Sequence, residues 1–149
     1  MNQETVTAPG EPTVVAGHFR TMFPTTARGA HTARQAAERW LAAQRGWPDP
    51  DDDSAATASL LIAELTANAA LHGRVKGRDA RLALTLTPTI LRIEVTDARG
   101  DRLPATPPNA DVDGESGRGL LLVASLADAW GYEPYPPGGK TVWAECSRT

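Results

Sequence analysis

Glu64, Asn68 and His72 recur at four-residue intervals through an otherwise apolar run, which sets a carboxylate, an amide and an imidazole on one helical face. With Glu64 at zero on a helical wheel, Asn68 falls at about 40° and His72 at about 80°. Leu60, Leu71, Leu61 and Leu65 fall at about −40°, −20°, 60° and 100°, so the polar groups sit within the arc that the leucines should bury. Burying an unpaired carboxylate costs several kcal/mol, and an unpaired amide about 1–3 kcal/mol. Two readings stay open: an internal network with an arginine on Glu64, or a ligand that supplies the missing partners.

A second carboxylate lies at a strand end. In the run 90–97, Leu91, Ile93, Val95 and Asp97 share one parity, while Arg92, Glu94 and Thr96 share the other. Asp97 is therefore on the core-facing side just before the chain turns toward Gly100. It is either a turn cap or a fixed acceptor at the base of a pocket. An acceptor there suits an exocyclic amine such as that of adenine, whereas guanine would present a carbonyl to its lone pairs.

The third group is Gly117-Arg118-Gly119, which precedes Leu120-Leu121-Leu122-Val123. Glycines ahead of a helix allow close backbone approach, and the helix N-terminus supplies free N–H groups for phosphate. Alone the pattern is weak. A dinucleotide fingerprint would need a third glycine where Leu122 stands. Gly139-Lys140-Thr141 resembles the end of a phosphate-binding loop, but Pro134 occupies the position of its first glycine and a strand follows. Lys140 reads as a surface lysine, with a phosphate contact as the alternative. His18, His31 and His72 have no companion ligands at zinc or triad spacing.

The elements that must position these groups are legible in outline. Residues 1–17 lack periodicity and read as a flexible tail, with one domain over 18–149. A strand is expected over 18–23, an alanine-rich helix over 26–45, and a second helix from an Asp53 or Ser54 cap to His72, stopped by Gly73. A hairpin follows over 80–87 and 90–97, then a long polar loop over 99–117, a helix over 118–128, and strands over 130–135 and 141–146. That order suggests α+β architecture, a two-layer sandwich with a mixed, mostly antiparallel sheet and helices on one face.

The chain has 149 residues and a net charge of −3, which gives no electrostatic footprint for nucleic acid or an anionic membrane. Cys146 is the only cysteine, so no internal disulfide can form, and it reads as a small buried hydrophobe. No signal pattern opens the chain and no apolar run is expected to reach membrane-spanning length, so the expected location is cytoplasmic.

Taken together these segments resemble the histidine-kinase-like (GHKL, Bergerat-fold) ATPase superfamily, which groups gyrase, mismatch-repair and chaperone ATPases with histidine kinases. Glu64-Leu-Thr-Ala-Asn68-Ala-Ala-Leu-His72-Gly73 resembles its N-box, Asp97-Ala-Arg-Gly100 its first glycine box, and Gly117-Arg118-Gly119-Leu120 its second. Gly139-Lys140-Thr141 resembles the small motif on its closing strand. The resemblance implies ATP and Mg2+ as cofactors. Asn68 would hold the Mg2+, and Glu64 would orient or deprotonate the attacking hydroxyl. Asp97 would read the adenine amine, with Gly117, Arg118 and Gly119 on the phosphates as residues 101–116 close. His72, Gly100, Leu120 and Thr141 would complete the nucleotide site.

The compact length resembles the bacterial anti-sigma-factor serine/threonine kinases. That likeness implies a sigma factor and an antagonist (STAS-type) protein as partners, no direct nucleic acid or membrane contact, and room for a homodimer. One departure stands out: Arg99 is an extra residue between Asp97 and Gly100, where the family pattern is Asp-x-Gly. It favours the alternative of a non-catalytic, ATPase-like protein-binding module. A detached sensor-kinase domain with His31 as phosphoacceptor fits less well, because His31-Thr-Ala-Arg-Gln lacks the acidic start and proline of that box.

Overall fold

The computed structural model describes residues 14–101 and 115–148, with side chains in the second stretch from residue 119 onward. Among the described residues five strands and three helices follow in the order β1 (Gly17–Phe23), α1 (Ala27–Ala42), α2 (Asp53–His72), β2 (Ala80–Leu86), β3 (Ile90–Asp97), α3 (Glu115–Leu126), β4 (Ala129–Tyr135) and β5 (Gly139–Ser147). The sheet order is β1-β2-β3-β5-β4. Every neighbouring pair in it is antiparallel, so the expected mixture of strand directions is not found. The α+β sandwich itself is as expected. Gly17 already belongs to β1, and the Ala16 N–H donates to Leu86, so the sheet begins inside the segment read as a tail.

Alternation decides which strand face is buried. Leu82, Leu84, Leu91, Ile93, Val95, Val142, Ala144 and Cys146 point to the helical layer, each 3% exposed or less. On that layer α1 contributes Leu41 and the small residues Ala30, Ala33 and Ala37, which let α2 pack close. Thr26 caps α1 by accepting from the Gly29 N–H at 2.9 Å. The α2 cap is Asp52, which accepts from Ser54 N, one residue before Asp53 and two before Ser54, the caps expected. Three consecutive aspartates made its position ambiguous in the sequence.

α2 also corrects the membrane reading, because by length and composition its 20 residues meet the requirement for a span. Its Ala58, Leu61, Ile62 and Leu65 are buried at 1% exposure or less among the other elements, so it is the central core helix.

Cys146 is buried as expected, 2% exposed. Burial pushes its thiol up to about 12, with the Asp128 and Glu145 carboxylates adding to the shift. In the native protein Cys146 should react with a thiol-specific disulfide reagent at least about tenfold more slowly than in the urea-unfolded chain. Equal rates, followed by absorbance, would show that this strand opens readily.

Candidate functional site

The apolar face of α2 is centred away from the polar strip. Leu61, Ile62, Leu65, Thr66 and Ala69 are buried, whereas Leu60 and Leu71 are 45% and 54% exposed. Glu64, Asn68 and His72 are half-buried along the boundary between these two sides. The leucine arc drawn from the wheel was therefore too wide: a helix packed on one sheet with α1 and α3 beside it leaves one flank open, and Leu60 and Leu71 fall there. Among the described residues the Glu64 and Asn68 side chains have no hydrogen-bond partner, and His72 Nε2 is a buried atom without one. The internal arginine network for Glu64 is thus not formed among those residues.

α3 begins at Glu115, not at residue 118, so Gly117, Arg118 and Gly119 form part of its first turns and not a loop ahead of it. Leu120 and Val123 anchor that helix in the core at 1% exposure or less. Gly119 lies so close to α2 that a Cβ added to it would be 2.8 Å from Glu64 Oε1. The carboxylate of α2 and the glycine turn of α3 are thus immediate neighbours. Residues 102–114, which include most of the expected lid, lie outside the described residues.

At the other end of the polar strip, Gly73 closes α2 directly against Asp97. An added Cβ there would overlap the Asp97 carboxylate, so only glycine lets the two elements approach this far. Asp97 is 5% exposed at the end of β3, on the helical side as its parity required. Its partners differ from expectation. Lys140 is buried at 2% exposure, and its Nζ donates to Asp97 Oδ1 at 3.0 Å and Oδ2 at 2.9 Å. The surface-lysine reading is overturned, because the β3–β5 register sets Asp97 directly opposite Lys140.

The extra residue Arg99 is also accounted for. Its N–H donates to Asp97 Oδ1 at 2.8 Å, and its carbonyl accepts from Lys140 Nζ at 2.9 Å. Burial raises the Asp97 carboxyl above its ordinary value, and this outweighs the opposing pull of the Lys140 and Arg99 contacts.

Two residues expected in the site have other places. Gly100 packs its backbone on the β4–β5 turn, donating to Gly138 O at 2.7 Å. Thr141 has the opposite parity to Lys140, and its hydroxyl bonds Thr96 Oγ1 at 2.8 Å on the outer face of the sheet. The structure therefore sets Gly119 against Glu64 at one end of the polar strip and Asp97, with the unexpected Lys140, against Gly73 at the other, and leaves the Thr141 side chain across the sheet. A separate groove of about 550 Å³, lined by Leu41, Trp47, Pro48 and Leu60 among others, lies at the far end of α2 and includes none of these residues.

Among the described residues no three His, Cys, Asp or Glu side chains cluster as a metal cage. The Asn68 side chain, which has no hydrogen-bond partner among the described residues, nonetheless fits Mg2+, which commonly takes one or two protein oxygens and completes its shell with phosphates and water.

A family described as the histidine kinase-like ATPase domain matches residues 23–146. No curated protein matches the chain. Among solved structures, the RsbU and RsbW domains of Rv1364c from Mycobacterium tuberculosis align over 87% of this chain with a TM-score of 0.57. Sequence identity is 20%, so the likeness is one of fold, and the chain covers 32% of that longer protein.

Proposed function

The chain belongs to the histidine kinase-like ATPase family, and on that premise we propose that it binds MgATP beside α2 and transfers the γ-phosphoryl group to a serine of a partner protein. The observation that carries this reading is the placement of the Glu64 carboxylate, without a hydrogen-bond partner among the described residues, against Gly119 on α3. The first four N–H groups of α3, those of residues 115–118, are open to phosphate, and a carboxylate beside the same helix is placed to meet the attacking hydroxyl.

In the proposed reaction the serine Oγ attacks the γ-phosphorus as its bond to the bridging oxygen of ADP breaks. Glu64 takes the hydroxyl proton. Asn68, through its carbonyl oxygen, would hold the Mg2+, which supplies neutralisation of phosphate charge when bound. Gly117, Arg118 and Gly119 would meet the phosphates, His72 and Leu120 would line the site, and Asp97 would accept from the adenine amine. By analogy with the anti-sigma-factor kinases, the serine would belong to an antagonist of STAS type, with a sigma factor held in a competing complex in the cytoplasm.

A second reading is favoured by one observation. Both Asp97 oxygens are already engaged by Lys140, which fits a protein-binding module that takes up no nucleotide. Calorimetry separates the two. Selective MgATP binding should weaken at least about tenfold in both Asn68→Ala and Asp97→Asn. No binding by the wild type at millimolar ATP would sink the kinase reading.

A further inference from the structure

The Lys140 ammonium has three protons and three acceptors: Asp97 Oδ1 at 3.0 Å, Asp97 Oδ2 at 2.9 Å and the Arg99 carbonyl at 2.9 Å. Asp97 Oδ1 also takes the Arg99 N–H at 2.8 Å, whereas Oδ2 receives only Lys140. Gly73, where α2 ends, packs its backbone against Oδ2, and an added Cβ there would lie 2.2 Å from it. We propose that Lys140 is a specificity-determining residue of the base site: it spends every donor it has on Asp97 and Arg99, leaving Oδ2 a pure acceptor that admits an exocyclic amine and repels a carbonyl. This rests on the reading that Asp97 faces the purine.

The register makes the arrangement specific to position 140. Asp97 and Lys140 are directly opposed, and the loop carrying Arg99 is pinned to the β4–β5 turn by Gly100, where an added Cβ would lie 2.5 Å from Gly139 O. A neutral residue at 140 would leave a buried carboxyl with only the Arg99 N–H to hold its charge. Such a group takes up a proton, and its O–H then becomes a donor that guanine's carbonyl can accept. The charged and titratable groups around Asp97 are Lys140 from β5, Arg99 from its own loop, whose guanidinium is turned to Asp101, Arg78, Asp79 and Arg81, which line a small cavity with it, and His72 and Arg74 on either side of Gly73. His72 and Arg74 are common to wild type and variant, so any change in them cancels in a comparison.

The test measures MgATP and MgGTP affinities of the full chain at about pH 6 and about pH 8.5, a window in which a released buried carboxyl can titrate. The wild type should prefer ATP equally at both. Lys140→Met should lose at least about tenfold of that preference at the lower pH and regain part of it at the higher, while Lys140→Arg keeps it throughout. A folded Lys140→Met with wild-type preference at both pH values would overturn the proposal and leave Lys140 as a structural clamp.

Should Lys140→Met fail to fold, the carbon-13 shift of the wild-type Asp97 carboxyl decides: ionised across the window supports the proposal, protonated at neutral pH overturns it. Failure of the underlying reading looks different, since the wild type would then bind neither nucleotide or show no preference, and the proposal would fall with it.

Discussion

Glu64→Gln should slow ATP turnover by about 10²–10⁴-fold, the usual contribution of a positioned general base, while MgATP affinity stays within about threefold. Gln keeps the length and the hydrogen-bonding reach of Glu but cannot take a proton. The side chain has no partner among the described residues, so the substitution breaks no network among them. The close approach of Gly119 allows either side chain, because the amide and the carboxylate are nearly the same size. Single-turnover release of ADP, with nucleotide affinity read by calorimetry, checks both halves. Retained turnover would remove Glu64 from the chemistry. Equal losses in affinity and rate would assign it to binding instead.

What the sequence showed and what it hid follow from how far each signal reaches. The 90–97 strand was legible to the residue, because alternation and the flanking turns are local. So was the end of α2 at Gly73, although the reason for that glycine, the Asp97 carboxylate against it, is a long-range contact. The flank of α2 was misjudged because a wheel locates a stripe without saying how wide the neighbours leave it, and Leu60 and Leu71 lie beyond its edge. α3 starts early although Gly117 and Gly119 are weak helix formers: packing of Leu120 and Val123 outweighs their propensity.

Lys140 was the main miss, yet a signal existed. Lys140, Val142, Ala144 and Cys146 share one parity in β5, and three apolar residues on that face announce a buried fourth. A lone lysine usually marks solvent, and its acid partner 43 residues away could be paired with it only once the β3–β5 register was known. Arg148 was hidden in the same way. It is 6% exposed, and its guanidinium bonds the carbonyls of Thr87 and Arg45, neither near it in sequence.

The same pair sets the largest expected stability effect. Lys140→Met should destabilise the fold by about 3–5 kcal/mol near neutral pH, because it leaves a buried carboxylate without its counter-ion. The pH dependence follows from the direction of the Asp97 shift. Its carboxyl is already held above the ordinary value of 3.8 by burial, and the contacts from Lys140 are among those pulling it down. Removing them raises it further. A carboxyl raised in the folded state contributes stability that is fully present below its unfolded value and is lost as pH rises through the folded one. The deficit of the variant should therefore be smallest near about pH 4, grow as the pH climbs through the raised value, and level off above it. Urea denaturation of both proteins across that range measures it. A deficit that is constant with pH would mean that Asp97 stays ionised without Lys140, with water or the Arg99 backbone able to carry its charge alone.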